Sequence, residues 1–113
     1  MKETAALDLD HLTAEHVCQL LGIAERTLRD LQRRFGLPRS GPGNKPEYRW
    51  RRVWQWYVGY HVAKGWNESQ RMPLTRDLIL TAVRLAEMHP ELPVRDLLAI
   101  SPRPVDRIRV STA

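Results

Sequence analysis

The stretch Leu21-Gly-Ile-Ala-Glu-Arg-Thr-Leu-Arg29 decides how the rest of the chain is interpreted, because it places a glycine between two amphipathic segments. Gly22 suits the left-handed position that ends many helices, and Ile23 is a single apolar residue that can plug the turn. The pattern predicts one helix over residues 14–21 and a second over residues 25–35. Two short helices around such a turn are typical of a helix-turn-helix.

The ends and the buried faces of these two helices are also marked. Thr13 is a suitable N-cap for the first helix, and Gly36 should end the second. The second helix has an inner apolar stripe with the spacing i, i+3 and i+7, formed by Leu28, Leu31 and Phe35.

The outer face of the second helix is rich in arginine. A helix in the major groove needs such residues, because arginine can pair with guanine through two hydrogen bonds and can also bind phosphate. The candidate DNA-binding residues on this helix are Arg26, Thr27, Arg29, Arg33 and Arg34. The alternative is an arginine-rich helix that only faces solvent in a three-helix bundle.

A turn-forming sequence follows the second helix, in residues 39–48 (RSGPGNKPEY). Its glycines, prolines and asparagine favour a turn, which predicts a β-hairpin with short strands at residues 37–40 and 47–49. Such a hairpin would be a wing that brings three cations to the phosphate backbone or the minor groove: Arg39, Lys45 and Arg49. The loop lacks the GxxxxGK[ST] spacing of a nucleotide-binding loop.

Charge is concentrated in the middle of the chain. The protein has 113 residues and a formal net charge of +5. Residues 23–66 hold ten basic and three acidic residues, a net +7, whereas residues 1–22 are acidic and residues 67–113 are nearly neutral. This distribution favours a polyanionic partner for the middle segment, and we expect double-stranded DNA.

All four tryptophans and all three tyrosines lie between Tyr48 and Trp66, mostly on a third predicted helix over residues 51–64. One face of this helix can close the small domain under the wing. Its second apolar face should be buried by the C-terminal segment or by a second subunit, and we assign to that interface Trp54, Val58 and Val62. The alternative is a stack of aromatic rings that binds unpaired bases.

One set of motifs runs through this part of the chain: residues 21–29, the Gly36-Leu-Pro sequence, the Gly/Asn loop, Tyr48, Val53 and the pair Trp56-Tyr57. Together these motifs resemble the N-terminal winged helix of lambda-type phage terminase small subunits. The resemblance covers about residues 12–60 and extends to the wider MerR-like and excisionase-like winged-helix group. It implies binding to a specific duplex site, with the helix after Gly22 in the major groove. The implied contacts are Arg26, Thr27, Arg29, Arg33 and, in the wing, Lys45.

In the terminase case the site is a packaging signal, and the protein hands DNA to a large subunit with ATPase and nuclease activity. A phage or bacterial regulator or excisionase of the MerR-like type is the alternative that the resemblance allows. A third possibility is an adaptor whose Trp-rich helix binds a protein partner.

Two further helices are predicted after Pro73, over residues 76–89 and 94–99. A last helix should begin at Ser101-Pro102 and carry a possible second DNA-binding pair, Arg103 and Arg107. This segment is interpreted either as an oligomerisation region or as a second helix-turn-helix.

The expected organisation is mainly α: a flexible arm (1–11), a winged helix-turn-helix with a small β-hairpin wing (12–66) and a helical segment (67–113). No catalytic, metal or cofactor motif is visible, so we expect no enzyme activity. The single cysteine, Cys18, and the absence of a long apolar stretch fit the cytoplasm of a bacterial host cell. We expect a homo-oligomer, and a terminase large subunit as a further partner.

Overall fold

A computed structural model describes residues 7–102 of the chain. Within that range the fold is helical and has no regular β-strand, which confirms the predicted mainly α class. The five helices of this part of the chain are α1 (Ala14–Leu21), α2 (Glu25–Phe35), α3 (Trp50–Gln70), α4 (Arg76–Met88) and α5 (Val94–Leu98). Among residues 7–102, no helix is both long enough and apolar enough to span a membrane.

Helices α1 and α2 have the predicted bounds. The Thr13 hydroxyl accepts a hydrogen bond from the backbone N–H of His16, and His16 Nδ1 accepts from the backbone N–H of Thr13. These two bonds form a reciprocal cap at the start of α1. Gly22 and Gly36 end the two helices at φ values of 71° and 81°, in the left-handed region where a side chain would be strained.

The predicted β-hairpin is reduced to one pair of residues. Ser40 and Glu47 exchange both backbone hydrogen bonds at 2.8 Å, and no ladder extends from them. The next hydrogen-bonded pair of such a hairpin would join Pro38 to Arg49. Pro38 has no N–H to donate, so this pair cannot form in full.

The second predicted strand pairs with the start of the chain instead. Tyr48 and Leu12 exchange backbone hydrogen bonds of 2.9 Å in both directions. Both side chains are almost completely buried. These backbone hydrogen bonds therefore hold the segment before α1 against the segment before α3.

Helix α3 is longer than predicted and forms the centre of the fold. It continues to Gln70, whereas the sequence predicted an end at residue 64. Gly65 is used for packing: a Cβ there would lie 2.2 Å from Cδ2 of Leu98. Gly59 in the same way admits Val83 of α4. These two glycines therefore allow α4 and α5 to approach α3 closely.

The C-terminal helices complete one common core. Thr75 caps α4 by accepting a hydrogen bond from the N–H of Leu78. The buried Trp66 donates from Nε1 to the carbonyl oxygen of Leu97 at 3.1 Å, which joins α3 to α5. The predicted domain boundary after residue 66 falls inside α3. One cluster of buried residues includes side chains from both sides of this boundary. The predicted last helix, from Ser101 onward, lies mainly outside the described residues.

Candidate nucleic-acid interface

The outer face of α2 presents the predicted basic side chains to solvent. Leu28 and Leu31 are buried on the inner face, and this fixes which way the helix is turned. The residues assigned to DNA contact on this helix are all exposed: Arg26, Thr27, Arg29, Arg33 and Arg34. Phe35, the third predicted inner residue, is only partly buried.

Ion pairs between residues three or four positions apart lie on this face, but they do not neutralise its net positive charge. Arg29 pairs with Glu25 at 3.4 Å, while Arg33 and Arg34 share Asp30 at 3.3 and 3.5 Å. All of these side chains are largely exposed, and such pairs are worth only about 0–1 kcal/mol. An incoming phosphate or base edge can therefore replace them at small cost.

Arg34 is directed differently from the other arginines. Its guanidinium carbon lies 5.1 Å from the ring centre of Phe35, a cation–π contact. Burial raises the pKa of the nearby Tyr60, and the charge of Arg34 partly opposes that rise. Arg34 thus faces the aromatic side of the molecule, where α2 meets α3.

The loop after α2 is tightly built. Gly41 has a φ of 82°, and a Cβ there would lie 2.6 Å from the carbonyl oxygen of Lys45. Arg39 donates from Nη2 to the carbonyl oxygen of Pro42 at 2.9 Å, which holds its side chain across the loop. Lys45 is exposed near the tip, and the described residues include no ion-pair partner for it.

Tyr48 couples this loop to α2. Its side chain is 1% exposed, and its hydroxyl donates a hydrogen bond to Oε1 of Gln32. Burial is the main reason that the pKa of Tyr48 is raised. The contact fixes the position of the loop relative to the arginine face, a role for Gln32 that the sequence did not indicate.

Two shallow clefts meet at Arg39 and connect α2 to the start of α3. The first is lined by Arg29, Gln32, Arg33 and Arg39. The second has a volume of about 230 Å³ and is lined by Pro38, Arg39, Ser40, Arg49 and Arg52. The described lining of both clefts includes no acidic residue. Four of the predicted DNA-binding residues are therefore brought together on one surface: Arg29, Arg33, Arg39 and Arg49.

The other predicted residues are not part of these clefts. Arg26, Thr27 and Lys45 are exposed at the periphery, and Arg34 faces Phe35. Arg103 and Arg107 lie outside the described residues. Arg52, in contrast, lines the second cleft although the sequence analysis did not select it.

A sequence signal for Arg52 does exist. Arg49 is the N-cap of α3, Arg51 and Arg52 follow in the first turn, and this turn contains no acidic residue. Cations at a helix N-terminus oppose the helix dipole and cost a few tenths of a kcal/mol or more each. A cluster that folding does not favour is a reason to look for an anionic ligand.

The predicted interface residues are divided between the surface and the core. Val62 is fully buried within the chain, which fits the predicted alternative that the chain itself covers this face and leaves Val62 no surface for a second subunit. Trp54 is 48% exposed and stacks on Trp50 with a ring separation of 5.7 Å. Val58 is half-buried and lies with Trp54 in a groove between α3 and α4 that Val83 and Ala86 also line.

The residues between 7 and 102 contain no group of three or more histidine, cysteine or acidic side chains placed to hold a metal ion. Cys18 is buried, and burial raises the pKa of its thiol. His16 is engaged in the α1 cap.

Comparison with known proteins gives no match to a family model, to a curated protein or to a solved structure. The case for a function therefore depends on the residues and geometry described above.

Proposed function

We propose that this protein binds a specific site on double-stranded DNA through a winged helix-turn-helix formed by α1, α2 and the loop after α2. The observation that carries the proposal is the common surface of Arg29, Arg33, Arg39 and Arg49, which come from separate segments of the chain. Arginines that converge without lining acids form a favourable surface for a polyphosphate backbone.

In this proposal α2 is the recognition helix. An α-helix fits the major groove, and exposed arginine and threonine side chains can contact base edges there. Arg26, Thr27, Arg29 and Arg33 have the required exposure. Arg29 and Arg33 are joined to their acidic partners on α2 only by weak surface ion pairs, which DNA would displace.

The loop between Ser40 and Glu47 acts as the wing. The Ser40–Glu47 backbone pair closes it, and the Tyr48–Gln32 hydrogen bond holds it beside α2. Lys45 near its tip would meet the phosphate backbone beside the groove that α2 occupies. This contact would add affinity and little sequence preference.

For the biological role, we propose recognition of a packaging site, as in the terminase small subunits that residues 12–60 resemble. Such a protein would form a homo-oligomer and present DNA to a terminase large subunit. The exposed Trp54, which stacks on Trp50, supplies an apolar surface for contact between copies. The mass in solution tests this role: a large ring supports packaging, whereas a monomer or dimer supports the regulator or excisionase alternative.

A salt titration of duplex binding tests the DNA proposal itself. We expect the affinity to fall steeply with salt, with a log–log slope of about −0.9 for each phosphate that the arginine surface neutralises. A single-stranded oligonucleotide of the same sequence is the control, and it should bind more weakly than the duplex. A flat salt response, or equal binding of both forms, would refute recognition of duplex DNA.

A further inference from the structure

The second cleft contains three arginines that the fold brings to one point. Arg39 comes from the loop, Arg49 from the N-cap of α3 and Arg52 from its first turn. Arg49 is the N-cap and Arg52 the third residue of α3, two positions whose side chains lie near each other at a helix start. The cleft volume is about 230 Å³, and Ser40 adds a hydroxyl to its lining.

No acidic side chain in the described part of the chain forms an ion pair with these three arginines. Within residues 7–102, the one side-chain hydrogen bond among them joins Arg39 to the carbonyl oxygen of Pro42. Glu87 shares a neighbouring cleft with Arg52 but forms no ion pair with it there. Like charges that line one cleft repel each other, so an anion that enters the cleft is favoured.

Two features of the cleft are already in place before any ligand arrives. The Arg39 side chain is held across the loop by its 2.9 Å hydrogen bond to Pro42. The backbone of Arg49 is fixed because its carbonyl accepts from the N–H of Val53, which starts α3. A guanidinium has five N–H donors in a fork, so Arg39 keeps donors free for a ligand.

We propose that this cleft, defined by Arg39, Arg49 and Arg52, is a phosphate-binding notch that takes one phosphate of the DNA backbone. The proposal rests on the proposed function for the source of the phosphate, while the chemistry of the notch is that of a tetrahedral oxyanion. Arginine forks match phosphate oxygens with paired hydrogen bonds. One phosphate held here would set the register of α2 in the adjacent groove, since Arg39 also lines the cleft beside Arg29 and Arg33.

The chain offers a matched control for Arg52. Arg51 lies one residue earlier in the same turn of α3, is also exposed and lines the Trp54 groove instead of the notch. Each of the two arginines shares a cleft with Glu87. Arg52→Gln and Arg51→Gln therefore remove the same charge from nearly the same place, and only the first removes a notch donor.

The first arm of the test uses inorganic phosphate and observes the arginine Nε–Hε resonances by NMR, with chloride at equal ionic strength as the reference. We expect saturable shifts at Arg39, Arg49 and Arg52 that disappear in Arg52→Gln and persist in Arg51→Gln. Equal melting temperatures for the two variants will verify that both are folded. Shifts that chloride reproduces would overturn the notch.

The second arm measures duplex binding by the same variants. Arg52→Gln should weaken binding roughly tenfold and reduce the salt slope by about 1, as expected for a lost phosphate contact, and Arg51→Gln should change the affinity by less than about threefold. Equal losses in both variants would overturn the notch and leave DNA binding intact. Phosphate binding without any duplex binding would refute the proposed function while supporting the notch as a site for free phosphate.

Discussion

Arg76, at the start of α4, donates a hydrogen bond of 2.7 Å from Nη2 to the carbonyl oxygen of Arg33 in the last turn of α2. Its Nε donates to the next carbonyl, that of Arg34, at 3.2 Å. Carbonyl groups in the last turn of a helix have no partner within it, and they carry the negative end of the helix dipole. A residue of the C-terminal half thus caps the helix with the most basic exposed face.

Removing this cap should destabilise the fold. We expect Arg76→Ala to lower the free energy of unfolding by about 1–2 kcal/mol, because two hydrogen bonds from a charged donor are lost. Urea denaturation followed by tryptophan fluorescence measures the change. Arg84→Ala is the control, since Arg84 is an exposed arginine of the same helix, and it should change stability by less than about 0.5 kcal/mol. Equal effects would mean that the Arg76 contacts contribute nothing.

We expect α2 to contact base edges and the loop to contact phosphates, so substitutions in the two segments should have different effects on binding. Arg29→Ala should weaken the specific duplex by about 1–3 kcal/mol and random duplex much less, because a base-edge contact discriminates sequences. Lys45→Ala should weaken both duplexes alike, because a phosphate contact is the same on every sequence. Competition binding with the two duplexes measures the ratio. Equal losses on both duplexes for Arg29→Ala would mean that α2 does not read bases.

The packing of α3 on α4 depends on Gly59. In Gly59→Ala the new Cβ would lie 2.4 Å from Cγ2 of Val83 and 3.0 Å from its backbone nitrogen. Helices α3 and α4 must then separate, and we expect a loss of about 1–3 kcal/mol in thermal or urea denaturation. Adding Val83→Ala should recover only part of the loss, because the clash with the backbone remains. Gly43→Ala is the control, since nothing lies within 4 Å of the Cβ position and no stability loss is expected. If Gly59→Ala leaves the stability unchanged, α3 and α4 are not packed this closely.

The ion pair between His11 and Glu47 predicts a raised pKa for the His11 imidazole. Nδ1 of His11 lies 3.1 Å from Oε1 of Glu47, and this hydrogen bond is the largest cause of a raised His11 pKa, followed by the charge of Asp8. A raised pKa means that the interaction stabilises the folded chain below the ordinary histidine pKa of 6.5, and that this stabilisation is lost as the pH rises through the higher pKa of the folded state. NMR titration should give a pKa above 6.5 for His11. In Glu47→Gln this pKa should fall towards the ordinary value, and a pKa that does not respond would exclude the pair.

Local sequence signals accounted for α1 and α2 because their ends depend on nearby residues. Thr13 caps α1 through a residue three positions away, and Gly22 and Gly36 end helices by their own backbone preference. The predicted strands failed for a local reason that was present in the sequence, the missing N–H of Pro38. Their replacement, the Leu12–Tyr48 pair, joins residues far apart in the chain and has no local signal.

The candidate site also combines features that local sequence predicts with features that depend on long-range contacts. The exposed arginine face of α2 follows from the sequence, because Leu28 and Leu31 fix the inner side and the arginines must then face outward. Three other features depend on the tertiary fold: Arg39 and Arg52 line one cleft, Val62 is a core residue and Arg76 caps α2. These relationships arise because the start of α3 lies beside the loop and α4 packs on α3. Such long-range contacts follow from the packing of whole helices and not from the spacing of residues along one of them.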